Sequence, residues 1–150
     1  MKILVNDYSG HPFPFELSQN LSKKYKTIHS YAHYFETPKA NFKNNSQNKN
    51  LKIVPIKINK QFKKDNFFSR RANDIFYGKK IIDLIKAENP TLIVCAQVPL
   101  DPLIKIMIFC KKNNIKIIFW IQDIYSEAIS KILNKKIPIV GALIGKYYYY

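Results

Sequence analysis

Residues 2–16 read Lys-Ile-Leu-Val-Asn-Asp-Tyr-Ser-Gly-His-Pro-Phe-Pro-Phe-Glu. The apolar run Ile3-Leu4-Val5 stops at Asn6-Asp7. A polar, turn-rich loop with Ser9, Gly10, His11 and two prolines follows, and helical spacing begins near Phe15. A buried strand, a loop of small and polar residues and then a helix is how an open α/β sheet begins. In such sheets ligands bind in the crevice outside the carboxyl ends of the strands. The opening stretch therefore predicts a fold class and the edge of that fold where chemistry belongs.

Working outward, the same alternation continues. Strands are predicted over 2–6, 27–34, 51–58, 91–96 and 115–121. Helices are predicted over 15–24, 67–88, 101–113 and 124–133, and from 139 onward. Segment 37–50 is rich in Asn and Lys and reads as a mobile surface loop, and 60–65 as a basic linker. Pro55 predicts an edge strand, because proline cannot donate to a sheet ladder. Asn89-Pro90 ends the long helix. Runs 91–96 and 115–121 are largely apolar, as in strands covered on both faces. Asp101 and Pro102 read as N-cap and first helical residue. Strands alternating with helices imply an α/β fold, a Rossmann-like, mostly parallel sheet flanked by helices.

Composition narrows the function classes. The chain has 150 residues, 47% of them hydrophobic, enough for one globular domain with a real core. No apolar stretch reaches the roughly 18 residues of a membrane span, and the N-terminus lacks the pattern of a signal peptide. Cys95 and Cys110 sit in apolar runs far apart, as small buried hydrophobes of a reducing compartment. The cysteines and the three histidines show no metal-ligand spacing, so no metal site is expected. The net charge of +15 is carried by 25 basic residues, of which only Arg70 and Arg71 are arginine. Scattered lysine, with abundant Asn, Ile, Phe and Tyr, fits an AT-rich genome and a solvated surface better than a nucleic-acid interface. A weak attraction to anionic lipid headgroups is a secondary expectation.

Three polar segments should meet at the carboxyl edge: Ser9, Gly10 and His11; Gln97; and Gln122, Asp123 and Tyr125. A single glycine at Gly10 is not a dinucleotide fingerprint, and no Walker loop is present. Asp123, just beyond an apolar strand, either acts on a hydroxyl as acceptor or base or caps the helix after it. Gln122 either orients a sugar hydroxyl or satisfies backbone groups. Arg70 and Arg71 offer planar forks for phosphate or carboxylate near a helix start that Ser69 would cap, or form an ordinary surface pair.

On these residues the chain resembles the N-terminal domain of family-4 glycosyltransferases, in the colanic-acid and fucosamine-transferase-like branch that builds bacterial surface polysaccharides. The resemblance rests on residues 6–17, Arg70-Arg71 with Tyr77-Gly78, Pro99-Leu100-Asp101 and residues 119–126. It implies the N-terminal half of a two-domain GT-B fold. The first lobe would bind a polyprenyl-diphosphate-linked or saccharide acceptor, and a second the nucleotide-sugar donor. Transfer would retain anomeric configuration without metal or cofactor, at the inner face of the cell membrane. It further implies that Gly10 and His11 line the cleft, that Arg70 and Arg71 lie near the acceptor, and that Gln122 and Asp123 stand where relatives carry active-site residues. Many relatives have a second glycine in the first loop and histidine in place of Gln122.

The chain ends within a helical pattern at Tyr147–Tyr150. It is therefore expected to be an acceptor-side domain cut short, lacking the donor lobe and inactive alone. Two other readings stand beside it: a stand-alone binding or scaffold domain docking on membrane or partner protein, and a nucleotide- or flavin-binding Rossmann-like protein, against which the glycine pattern argues.

Overall fold

The computed structural model describes residues 1–33, 48–57 and 67–121. Residues 37–47 of the predicted 37–50 loop, the basic linker at 60–65, the helices after residue 123, and Gln122, Asp123 and Tyr125 lie outside the described residues. The element order is β1 (Lys2–Asp7), α1 (Pro12–Ser22), β2 (Lys26–Ala32), β3 (Leu51–Ile56), α2 (Phe67–Glu88), β4 (Leu92–Ala96), α3 (Leu100–Lys112) and β5 (Lys116–Trp120). The strands form one sheet in the order β3-β2-β1-β4-β5. All four pairings are parallel, so the fold is α/β and Rossmann-like.

Sequence alternation divides the core between two faces. Ile3 and Val5 pack with Val94, Leu17, Leu21 and Tyr25, so α1 covers one face. Leu4, Ile28, Ile93 and Cys95 pack with Tyr77, Ile81 and Ile85 of α2 and with Leu103 and Ile106 of α3 on the other. Each fully buried aliphatic side chain contributes about 1.5–3 kcal/mol. Where α2 meets α3, a Cβ on Gly78 would stand 2.8 Å from Pro102 Cβ, so only glycine admits this approach.

Pro55 sits in β3, an edge strand among the described residues, as predicted. Several local expectations are corrected. Helix α1 starts at Pro12 rather than residue 15, because a proline at the first turn has its φ already set and needs no N–H partner there. Helix α3 starts one residue before Asp101, with Pro99 at the N-cap position and no side-chain cap. Asp101 instead pairs with Arg71. Ser69 lies inside the first turn of α2 and is not its cap. Strand β5 is not covered on both faces; Ile118 is 51% exposed.

Candidate functional site

Because every strand runs parallel, all carboxyl ends lie on one edge of the sheet. The chain order reverses between β1 and β4, and that is where the first loop and Gln97 emerge. The Tyr8 N–H donates to the Ala96 carbonyl at 3.2 Å, tying the two exits together. Gly10 has φ 77°, a left-handed conformation that glycine adopts without a Cβ clash. Gln97 has φ 54°, a left-handed conformation that is uncommon for a residue with a side chain.

Asp7 organises the loop. Its Oδ1 accepts the Ser9 N–H at 3.1 Å, and the N–H groups of Gly10 and His11 also donate to the carboxylate. In a dinucleotide-binding loop such donors face a ligand pyrophosphate. Here the protein's own carboxylate takes that place, so the donors turn inward. Burial nevertheless dominates the charge balance and pushes the Asp7 carboxyl up to about 7. Its Oδ2 stands 4.0 Å from His29 Nε2 on β2, both side chains fully buried. Burial drives the His29 imidazole down to about 3, and its Nδ1 meets Ser18 Oγ of α1 at 2.8 Å.

On the opposite face a second buried polar group links β1 to α2. Asn6 Oδ1 accepts from Tyr77 Oη at 2.5 Å and from Ser30 Oγ at 3.3 Å. The Tyr8 hydroxyl donates to Asp74 Oδ1, and the Tyr8 ring sits edge-on to Tyr77 with centroids 4.9 Å apart. Burial raises the Asp74 carboxyl, against the lowering pull of the Tyr8 hydrogen bond and the Arg70 charge, with Asp101 raising it further.

Arg71 presents its fork to Asp101, with Nε–Oδ2 at 3.0 Å and a second contact at 3.3 Å, an arrangement that closes the start of α2 onto the start of α3. That geometry gives the two-armed guanidinium a carboxylate within the protein. Arg70 is exposed nearby. A row of rings crosses the rim: His11 lies parallel to Phe13 with centroids 5.5 Å apart, and Phe13 leans on Trp120 at 5.8 Å. The first turn of α1 thereby reaches across to the end of β5.

The structure thus brings Ser9, Gly10, His11 and Gln97 to one rim, with Arg70 and Arg71 on the α2 start. No protein-family model matches the chain, and no curated protein matches it. Among solved structures it is similar to the C-terminal domain of a hydrogenase from Pyrococcus furiosus, in two crystal structures, each at 13% identity. Their TM-scores are 0.57 and 0.52, covering 80% and 79% of this chain and 91% and 90% of theirs. That likeness carries the fold alone.

Sequence reasoning gave His29, Ser18 and Asp74 no place in the site, and Asp7 and Tyr8 a place only within the stretch that carries the resemblance. The available signal was an acidic residue at the last position of an apolar strand, directly before a glycine loop. Among the described residues no group of three or more His, Cys, Asp or Glu could hold a metal. Cys95 and Cys110 are free and buried, and burial pushes the Cys95 thiol up to about 12. Among the described residues no helix is long and apolar enough to cross a membrane.

Proposed function

We propose that the chain is the acceptor-side lobe of a retaining glycosyltransferase of GT-B architecture, which moves a sugar from a nucleotide-sugar to a lipid-linked or saccharide acceptor in bacterial surface-polysaccharide assembly. The observation that carries this reading is the loop after β1, whose N–H donors are turned onto Asp7. A rim that among the described residues has no phosphate cradle, but bears the Ser9 hydroxyl, the His11 imidazole and the Gln97 amide, matches a hydroxyl-rich acceptor better than a dinucleotide. The same observation weighs against the nucleotide- or flavin-binding alternative. The resemblance adds Gln122 and Asp123 as the groups that would orient and polarise the acceptor hydroxyl, with Tyr125 beside them. Arg70 would stand near an acceptor diphosphate at the inner membrane face.

The test is a titration of the chain with a polyprenyl-diphosphate-linked monosaccharide and, separately, with nucleotide-sugars. The lipid-linked sugar should bind, and the Ser9→Ala, Gln97→Ala double variant should weaken it about tenfold or more. Saturable binding of a nucleotide-sugar alone would overturn the acceptor-side assignment. In a polypeptide carrying the donor lobe, Asp123→Asn should lower the transfer rate by about 10²-fold or more, the range of a general base.

One observation favours the docking alternative. Ile104, Met107 and Ile108 form an exposed apolar stripe on α3 at helical spacing. Salt-sensitive co-sedimentation with anionic vesicles, without affinity for lipid-linked sugar, would support that reading.

A further inference from the structure

Three side chains behind the rim form a connected line that the proposed sugar chemistry does not use. Ser18 Oγ lies 3.0 Å from the Pro14 carbonyl and 2.8 Å from His29 Nδ1, while His29 Nε2 faces Asp7 Oδ2 at 4.0 Å. All three residues are fully buried. A serine has one proton to donate, so it cannot serve the carbonyl and the imidazole at once. Whichever it serves fixes the tautomer of His29.

We propose that Asp7, His29 and Ser18 are a one-proton switch, in which loss of the proton from Asp7 inverts the tautomer of His29 and releases the Pro14 carbonyl from Ser18, resetting the loop that carries Ser9, Gly10 and His11. In the protonated state Asp7 holds its proton on Oδ2, the oxygen that accepts no hydrogen bond from the loop. His29 is then Nδ1–H and donates to Ser18 Oγ, and the Ser18 O–H donates to Pro14. When Asp7 releases its proton to solvent, the carboxylate favours an N–H on the imidazole nitrogen that faces it. The ring proton moves to Nε2, Nδ1 becomes the acceptor, and Ser18 turns its O–H to it. Pro14, in the first turn of α1, loses that donor. At 4.0 Å the Asp7–His29 pair couples through charge rather than a formed hydrogen bond.

Among the described residues, the ionisable groups beside Asp7 come from three elements. From β2 come His29 and Tyr31, and the loop supplies His11. The neighbouring β4 position, Ala96, has no ionisable group. On α1, Ser18 faces inward while Glu16 is exposed. Burial raises Asp7 to about 7 and lowers His29 to about 3, so around neutral pH it is the acid that gains and loses the proton while the ring stays neutral. Asp7 is here a positioning residue, acting through the loop it holds. The inference is independent of which ligand the rim takes.

Nitrogen-15 spectra of the histidine rings, recorded on the whole chain from pH 5.5 to 8.5, test it. His29 should be Nδ1–H at the acid end and Nε2–H at the alkaline end, with a midpoint near 7 shared by the Ser9 and Gly10 amide shifts. Asp7→Asn places an N–H where the proton was, and should lock His29 as Nδ1–H across the range. Ser18→Ala removes the group that accepts from Nδ1–H, and should move the midpoint to lower pH while the chain stays folded. A wild-type His29 that keeps one tautomer throughout, or that gains a second proton near 6.5, would overturn the proposal. So would an Asp7→Asn chain that still inverts.

Discussion

At the amino end of the sheet Glu88 is met by two lysines, Lys52 Nζ at 2.5 Å and Lys2 Nζ at 3.3 Å, and Lys52 is mostly exposed. Hydrogen bonding from Lys52, then from Lys2, holds the Glu88 carboxyl below its ordinary range despite some burial. At the carboxyl end Asp7 and Asp74 lie buried and are held by uncharged donors: backbone N–H groups for one and the Tyr8 hydroxyl for the other. Burial outweighs those donors and raises both acids. The amino end neutralises its charge with flexible, solvated partners. The carboxyl end keeps acids that titrate nearer to neutral pH, which is how sites of proton chemistry differ from structural ion pairs.

The sharpest way to break this contrast is at Asn6. Asn6→Leu deletes the oxygen that accepts from Tyr77 and Ser30 inside the core, and removing one partner of a buried hydrogen bond costs about 1–3 kcal/mol. A loss of about 3 kcal/mol or more is expected in urea unfolding. A loss under 1 kcal/mol would mean that the carboxyl-end network is dispensable. Next comes Gly78→Ala, which places a methyl against Pro102 and should destabilise by about 1–3 kcal/mol through overpacking.

The pH dependence sharpens the comparison further. Asp7 keeps a proton in the folded chain from pH 3.8 to about 7 that the unfolded chain has lost, so alone it makes stability fall as pH rises. His29 lacks, from about pH 3 to 6.5, a proton that the unfolded chain holds, so alone it makes stability rise. Between pH 3.8 and 6.5 the two cancel, because folding moves one proton from histidine to aspartate. This pair should give a flat contribution across that window. Asp7→Asn should uncover a rise with pH, approaching about 1.4 kcal/mol per pH unit at its steepest. An unchanged profile would contradict the burial of the pair.

The smallest effect belongs to the amino end. Glu88→Gln should cost less than about 1 kcal/mol and lose that difference in high salt. Glu88 is lowered on folding, so its contribution is present above its unfolded pKa of 4.5 and fades as the pH falls through the folded value.

Much of the fold was legible because alternation is a strong signal. Apolar Ile3, Leu4 and Val5, closed by a polar loop, set β1, and helical spacing marked Phe67–Glu88 at both ends. Pro55 marked an edge. Capping was less legible. Asp101 resembles an N-cap in one dimension, but Arg71, thirty residues earlier, claims its carboxylate in three. The rim location of Ser9, Gly10, His11 and Gln97 followed from parallel strands alone. The role of Asp7 did not, since it depends on loop N–H groups folding back and on a histidine one strand away. His29 and Ser18 carried no one-dimensional mark, being separated by a turn and joined only when α1 lies on β2.

Trp120 is the one tryptophan in the chain, and its ring touches Phe13, which in turn stacks beside His11. Nature has therefore placed an optical probe at the rim without any label. Excitation at the red edge of the spectrum, where the ten tyrosines are silent, isolates the emission of that single indole. A shift in its colour or lifetime on adding a candidate molecule would report the occupancy of this edge directly, and would do so in the unmodified protein.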